Sequence, residues 1–299
     1  MEKIEISIII PTYNRTELLI KTLLAINDQK YNMKTVEVIV IDDCSTISPE
    51  NDLSYLKTKY ALRFYREKKN IGQGQIRNRG IKMAQGRYIF FIGDDTVPKD
   101  NFIDEHMKLH NKIDGIAVLG QVLWAPELRN EFMNFIERIQ FHYHTIKDKN
   151  NVKLHFYTSN ISLEKRWFQF GEYSDKFRNY GLEDIELGYR LENNGLRVIY
   201  TPKAIVYHFH SYSFEQFCLR MRNVGKSAVI FAKLHPELKR KYLLPCHSLI
   251  NFGSLILSRK IFKYINRKMY WYSSFVNHYL SGIEEEIKNS KGKTHKNYK

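Results

Sequence analysis

The chain has 299 residues, 43% of them hydrophobic, which is enough for one large α/β domain with or without an appendage. Its formal charge is +15. Its three cysteines, Cys44, Cys218 and Cys246, are scattered without metal-type spacing, which speaks against a disulfide scaffold or a cysteine zinc site and for a reducing compartment. No uncharged apolar run reaches about 18 residues, and Met-Glu-Lys leads directly into a strand pattern, so neither a membrane-spanning helix nor a signal peptide is expected.

Glu5-Ile-Ser-Ile-Ile-Ile-Pro11 reads as a buried strand. Thr16 is expected to cap the helix that follows, with Leu18, Leu19, Thr22, Leu23 and Ile26 at helical spacing. Val36–Ile41 is a second strand, running into Asp42-Asp43, and Leu62–Tyr65 a short third. Gly72–Met83 reads as a helix, Tyr88–Ile92 as a strand, Lys99–Lys112 as a helix and Gly115–Gly120 as a strand. A helix is expected at Glu131–Phe141, an extended segment at Tyr157–Leu163 and a helix at Glu183–Asn193, stopped by Asn194-Gly195. Leu196–Tyr200 and Ala204–Tyr207 read as two short strands, and Phe214–Leu234 as a long amphipathic helix broken by His235-Pro236. Tyr242–Ile283 is aromatic, basic and helical in pattern, and Lys288–Lys299 reads as a disordered tail. Strands alternating with helices predict βαβ units and a mostly parallel sheet.

The organising stretch is Tyr88-Ile-Phe-Phe-Ile-Gly-Asp94-Asp95-Thr-Val-Pro98. A strand buried on both faces ends in two carboxylates, at the edge where open α/β sheets hold ligands. Two carboxylates on a short loop suit a hard divalent cation, or a plain solvated turn. Asn70-Ile-Gly72-Gln-Gly74-Gln-Ile-Arg77 fails the dinucleotide fingerprint, because Arg77 stands where the third glycine belongs and the segment is not in the first βαβ unit. Nicotinamide and flavin are therefore excluded, and Arg77 is left able to reach a phosphate or base edge, or simply water. Glu183-Asp184-Ile-Glu186 places acids at a helix start, either as dipole-stabilised caps or as a general base near the sheet edge. His208 follows a strand and can complete a metal site with Asp95; His210 is its competitor.

These pieces occur in an order that resembles the family 2 glycosyltransferases of GT-A fold. The resemblance rests on Ser7-Ile-Ile-Ile-Pro-Thr-Tyr-Asn14-Arg15, Val40-Ile-Asp-Asp43-Cys-Ser45, Asn70-Ile-Gly with Arg77-Asn78-Arg-Gly80, Phe91-Ile-Gly-Asp94-Asp95, Gly181-Leu-Glu-Asp184-Ile-Glu-Leu-Gly-Tyr-Arg190 and His208. It covers about residues 5 to 210, and its specificity lies in five motifs in register. It implies an α/β GT-A fold, a Rossmann-like, mostly parallel sheet flanked by helices, with a C-terminal helical extension. It further implies that Pro11, Thr12, Tyr13 and Arg15 line the nucleotide pocket, that Asp43 binds the base edge, that Arg77 lies at the nucleotide and that Asp94 binds ribose. By the same resemblance Asp95 holds Mn²⁺ or Mg²⁺ with His208 as a further ligand, Asp184 is the catalytic base and Glu183 touches the acceptor. The implied reaction is inverting transfer from a nucleotide sugar, by family habit a UDP-sugar, to a glycan or lipid-linked hydroxyl. One departure is Gly93, where the family's metal motif often has Asp; fewer carboxylates are expected to loosen the cation. Cys44 replaces a common glycine.

The expected division is a catalytic domain over 1–235, with a nucleotide-binding half over about 1–120 and an acceptor half over about 121–235, and a basic aromatic extension over 236–299. Residues 239–299 carry thirteen Lys and Arg against three Glu, a net +10, which leaves +5 for the first 238. Leu249, Phe252, Leu255, Ile256, Phe262 and Ile265 interleave with Arg259, Lys260, Lys263, Arg267 and Lys268, and Trp271, Tyr272 and Phe275 follow. Such a pattern suits an anionic membrane surface, a helix packed back on the protein, or a homodimer contact. The expected place is the cytoplasm or the inner face of the plasma membrane, in envelope polysaccharide assembly. Two rival readings remain: a nucleotide-sugar binder without catalysis, and a nucleic-acid-binding protein. Nucleic acid is not the expected partner, because the acids sit at the sheet edge and the basic excess sits in the extension.

Overall fold

The computed structural model describes residues 2–177, 181–243 and 262–296. The chain divides into two compact units, Met1–Ser174 with Asp184–His210, and Asp175–Glu183 with Ser211–Lys299.

The first unit is built on eight strands: β1 (Ile6–Thr12), β2 (Val36–Asp42), β3 (Ala61–Arg66), β4 (Tyr88–Ile92), β5 (Thr96–Pro98), β6 (Ile116–Trp124), β7 (Asn160–Glu164) and β8 (Arg197–His208). Their order in the sheet is β3-β2-β1-β4-β7-β6-β8-β5. The β3-β2-β1-β4 half is parallel, so the aspartates ending β2 and β4 emerge at one edge. β7 runs antiparallel between β4 and β6, while β6 and β8 are parallel. Ile6, Ile8, Ile9, Ile10, Phe90 and Phe91 are fully buried, as two-sided apolar runs demand. Gly80 lets helix α3 (Gln73–Met83) lie against β1, since a Cβ there would stand 2.5 Å from the Ile9 side chain.

Several expectations change. Leu196–Tyr200 and Ala204–Tyr207 form one strand, β8. The register against β6 jumps from Gly120↔Thr201 to Gln121↔Ile205, so Pro202 sits in a bulge where its missing N–H costs no ladder bond. Thr96–Pro98, for which no strand was expected, is the edge strand β5 paired with β8. The extended segment at Tyr157–Leu163 narrows to β7, the expected Lys99–Lys112 helix to α4 (Phe102–His110) and the expected Glu131–Phe141 helix to α5 (Glu131–Gln140), while a short helix that was not expected, α2 (Glu50–Ser54), follows β2. Thr16 does not cap α1 (Thr16–Asn27); it is the first helical residue, and Arg15 occupies the cap position without a capping bond.

In the second unit α7 (Phe214–Leu234) starts with a capping box: Ser213 Oγ accepts from the Gln216 amide, and the Gln216 side chain accepts from the Ser213 amide. His235 ends it, where the helix break was expected. Two helices follow the undescribed 244–261 stretch, Phe262–Ile265 and Arg267–Lys296; the second packs along α7 and is called αC below. Phe217 meets Phe275 at 4.7 Å between ring centres, and Val229, Leu280 and Ile283 form a buried cluster. Arg222 and Lys226 both pair with Glu285, at 2.8 and 2.7 Å. αC runs on through the stretch expected to be disordered, as far as Lys296. Once a helix is nucleated on a packed face, adding residues without proline is cheap. Among the described residues no helix is long and apolar enough to cross a membrane.

The two helices cross on glycines. A Cβ at Gly225 would lie 2.0 Å from the Tyr279 carbonyl oxygen, and one at Gly282 would lie 1.9 Å from that of Arg222. Helix propensity alone favours Gly→Ala by about 1 kcal/mol. Forcing the backbones apart costs about 1–3 kcal/mol. Gly225→Ala is therefore expected to destabilise the protein despite its better propensity, and a urea unfolding midpoint at or above the native one would contradict the close crossing.

Candidate active site

The site forms where β1, β2 and β4 end. Thr12 Oγ1, the last hydroxyl of β1, donates to Asp94 Oδ2 at 2.8 Å, and Thr22 Oγ1 donates to the Asp94 carbonyl at 2.9 Å. Arg15 Nη1 reaches Asp95 Oδ2 at 2.5 Å and Asp94 Oδ1 at 3.3 Å. From the other side β5 pairs Thr96 with His208 on β8, which brings His208 Nε2 to 3.7 Å from Asp95 Oδ1. The Phe209 amide fixes the Asp95 carbonyl at 2.7 Å. Trp124 and Phe141 flank the His208 ring.

Both carboxylates are buried. Burial, then the charge of Asp95, pushes Asp94 up to about 7, against Arg15 and the Thr12 hydrogen bond. Burial also pushes Asp95 upward, but His208, then Arg15 and His210, outweigh it and hold Asp95 below the usual carboxylate range. The pair thus splits, with Asp95 the charged member. Gly93 has a local reason: a Cβ there would stand 2.8 Å from Asp95 Oδ1, so a side chain at 93 must displace the carboxylate from its present place.

Asp43 forms a second focus. Its Oδ1 accepts from the Ile71 amide at 2.7 Å and its Oδ2 from the Gly72 amide at 2.9 Å, while its own amide donates to the Thr12 carbonyl at 2.9 Å. Gly72 takes φ +84°, a conformation that glycine adopts without strain, so the loop can turn its amides toward Asp43. Asp42, the first of the pair, is structural: its Oδ1 accepts from the Ser45 amide at 2.9 Å. Pro11 is partly buried beside Thr12, and the Tyr13 ring is 47% exposed, open to a stacking partner.

Arg77 is buried on α3, near Tyr173 (5.9 Å from guanidinium carbon to ring centre) and within electrostatic reach of Asp184. No direct contact between Arg77 and Asp43 is seen among the described residues. Asp184 belongs to α6 (Glu183–Asn193), anchored by buried Leu187 and Leu191 and by Gly188, where a Cβ would lie 2.2 Å from that of Phe156. The Asp184 carboxylate accepts from the Ile185 amide at 2.8 Å and the Thr158 amide at 3.4 Å. Part of its surface stays accessible, yet burial raises its pKa above the ordinary value, with Arg77 opposing. Dipole and hydrogen bonds alone would have made it a weak base; burial restores basicity. Glu183 lies in the second compact unit and accepts from the Gly181 amide at 3.0 Å.

Sequence reading missed three residues that hold this arrangement. Thr22 fixes the Asp94 backbone. Asn78 and the Tyr173 backbone exchange two hydrogen bonds of 2.9 Å, tying the loop after residue 170 to α3. Thr96 Oγ1 closes the 93–96 turn on Gly93. Only Asn78 carried a signal, as a polar residue beside Arg77 that the apolar stripe did not require.

Residues 7–170 match the model of glycosyl transferase family 2. That is more than half of the 299 residues, and the chain belongs to this family of glycosyltransferase enzymes. The chondroitin synthase of Escherichia coli is 25% identical over 236 residues, covering 68% of this chain and 34% of that protein. The poly(ribitol-phosphate) β-N-acetylglucosaminyltransferase TarP of Staphylococcus aureus (strain N315) is 26% identical over 199 residues, 60% of each chain. The chain therefore spans about a third to three fifths of these relatives. Among solved structures, the mannosyltransferase PcManGT of Pyrobaculum calidifontis, in complex with GDP-Man and Mn²⁺, superposes with a TM-score of 0.69 at 15% identity over 96% of this chain and 88% of that one. TarS 1-349 of S. aureus, in complex with UDP-GlcNAc, superposes with a TM-score of 0.55 at 16% identity over 96% and 92%. The fold is GT-A.

Proposed function

We propose that the chain moves a sugar from a UDP-sugar to a hydroxyl of a glycan or lipid-linked acceptor, with inversion, in a single metal-assisted displacement. The observation that carries this reading is the buried Asp94-Asp95-His208 cluster at the sheet edge, in the same unit as a carboxylate of raised basicity, Asp184. The donor set fits a hard cation: one carboxylate and one imidazole, with the remaining positions left to water and phosphate oxygens. Among the described residues no group of three or more His, Cys, Asp or Glu is arranged to hold a metal ion together, so in this reading Asp95 and His208 are the two protein ligands and Asp94 is left to the ribose.

When bound, Mn²⁺ or Mg²⁺ supplies Lewis-acid neutralisation of the departing diphosphate. The chain's own residues do the rest. Tyr13 stacks on the base beside Pro11 and Thr12, and Asp43 takes its polar edge. Asp94, lifted toward neutrality, hydrogen-bonds ribose. Arg77 balances charge between nucleotide and base. Asp184 takes the acceptor proton as the new bond forms, and Glu183 holds the acceptor. A base acting opposite the leaving group gives inversion.

The test is calorimetric binding of UDP-, GDP- and dTDP-sugars with and without Mn²⁺, on the native protein and on Asp95→Asn. Metal-dependent binding of one donor, lost in the variant, is expected. Failure to bind any nucleotide with metal present sinks the reading.

We assign catalysis to residues 1–235 and acceptor or membrane contact to 236–299. Trp271 and Phe275 pack inward, whereas Tyr264, Ile265, Met269 and Tyr272 are exposed on the chain that carries Lys263, Arg267 and Lys268. Leu249, Phe252, Leu255, Ile256, Arg259 and Lys260 lie outside the described residues. The exposed face supports a resting place on anionic lipid at the inner side of the plasma membrane. Flotation with liposomes containing phosphatidylglycerol, stronger than with neutral ones, is expected. Equal recovery in both, with a dimer in sedimentation, would turn this face into a subunit contact.

A further inference from the structure

Arg15 was expected to line the nucleotide pocket, yet its guanidinium lies on the two carboxylates, 2.5 Å from Asp95 and 3.3 Å from Asp94. We propose that Arg15 is a built-in counter-ion that holds Asp95 until the donor's diphosphate draws it away, so that cation and nucleotide bind together and neither binds well alone. The inference rests on the metal-site reading given above.

Three observations carry it. Adjacent buried carboxylates need a positive partner, and Arg15 supplies one that cannot be neutralised by losing a proton. A divalent ion taken up by Asp95 therefore meets a permanent like charge. Second, the Arg15 side chain is 39% exposed while those of Asp94 and Asp95 are 7% and 9% exposed. The guanidinium can swing out without unpacking the core, whereas the carboxylates cannot follow it. Third, the backbone before it is pinned. Asn14 takes φ +55°, its amide donates to Ser45 Oγ at 2.8 Å, and its Oδ1 accepts from the Thr46 amide at 2.7 Å. The α-carbon of Arg15 is thereby fixed above the edge where the strands end, and the guanidinium turns about that fixed point. A diphosphate offers the planar guanidinium two oxygens for a parallel pair of hydrogen bonds, whereas the contacts to Asp95 and Asp94 both run through Nη1. Asp95 is then released at the moment a phosphate-bound cation needs it. Affinities of cation and nucleotide are coupled, and by linkage the coupling is equal in both directions.

The experiment is Mn²⁺ binding, followed by calorimetry and by loss of the free-ion paramagnetic resonance signal, with and without UDP, on native protein, Arg15→Gln, Arg15→Lys and Asp95→Asn. Arg15→Gln is expected to bind Mn²⁺ at least tenfold tighter than native without UDP. Its affinity with UDP should be close to native, so that UDP enhances Mn²⁺ binding at least tenfold less than in the native protein. Arg15→Lys keeps the charge and is expected to stay near native in both states. If Arg15→Gln binds Mn²⁺ no tighter than native while Asp95→Asn loses the ion, the counter-ion role is overturned and the metal site stands. If Arg15→Lys behaves as Arg15→Gln does, charge is not the cause and the proposal fails. If Asp95→Asn binds Mn²⁺ as the native protein does, the metal-site reading itself fails, and the counter-ion role with it.

Discussion

Asp184→Asn is expected to lower turnover about 10²- to 10⁴-fold, the range that a positioned general base contributes, while donor affinity changes less than about threefold. Asparagine keeps the size of the side chain, and its one oxygen can still accept from the Ile185 amide; it gives up only the longer bond of 3.4 Å from the Thr158 amide, which reaches the other carboxylate oxygen. What it loses is the ability to take a proton. The same change removes the negative partner that Arg77 faces, so Arg77 becomes freer to hold phosphate, and donor binding is more apt to tighten than to weaken. A small fall in kcat alone, or a loss confined to KM for the donor, would move the base elsewhere. Glu183 would then be the next residue to test. Single-turnover measurement with saturating donor separates the chemical step from product release, which limits many enzymes that close on their substrates.

The strands were legible because a two-sided buried strand has nothing but apolar residues to show. Ile6–Thr12, Val36–Asp42 and Tyr88–Ile92 stand out for that reason, and the parallel half of the sheet follows from the helices between them. Pairing direction leaves no mark on period two, so the antiparallel insertion of β7 between β4 and β6 could not be read. The bulge around Pro202 looked like a strand break, because proline within an apolar run gives the same pattern in either case. The carboxylate cluster was placed correctly at the edge, since Asp94 and Asp95 end a strand. Its charge balance was hidden. Arg15 looked like one more pocket residue, and only the folded geometry turns its guanidinium onto Asp95. Gly93 looked like a loss, whereas in the fold it leaves room for the Asp95 carboxylate. His106 and His110 drew no notice at all, because two histidines one turn apart on a helix carry no signal of partners more than fifty residues away.

Those two histidines set the second large effect, a steep loss of stability in acid. His106 and His110 sit on α4 and are buried against β7. The Asn160 amide nitrogen donates to the Gln121 and Ala204 carbonyls, at 3.0 and 2.9 Å, so its oxygen faces His106 Nε2 at 2.9 Å and must accept. His106 Nδ1, 2.8 Å from Ser162 Oγ, is then the acceptor of the hydroxyl proton, and Ser162 Oγ accepts in turn from His110 Nε2 at 2.8 Å. The chain of donors closes only with the His106 ring neutral; His110 donates from Nε2 in either state, and it is burial that disfavours its charge. Burial pushes His106 down to about 3, with His110 adding to it and the Asn160 hydrogen bond opposing. Burial, then Arg87, pushes His110 down to about 4. In the unfolded chain both titrate near 6.5. Above that pH neither state binds the protons, and the contribution is fully present. As pH falls below about 6.5 the unfolded state takes up two protons that the folded state refuses, and stability drops by about 1.4 kcal/mol per pH unit for each ring. The loss ends near pH 4 for His110 and near pH 3 for His106. By pH 4.5 the two together amount to about 5 kcal/mol, comparable with the whole stability of an ordinary domain. Urea unfolding at intervals between pH 7 and 4.5 is expected to show this slope. His110→Gln, which keeps a donor for Ser162, should remove about 1.4 kcal/mol per pH unit from it between pH 6 and 5, whatever it does to stability at pH 7. An unchanged slope in that variant would place the acid sensitivity in the carboxylates instead, and would mean that the fold accommodates a charged His110 through its neighbours on β4 and β7.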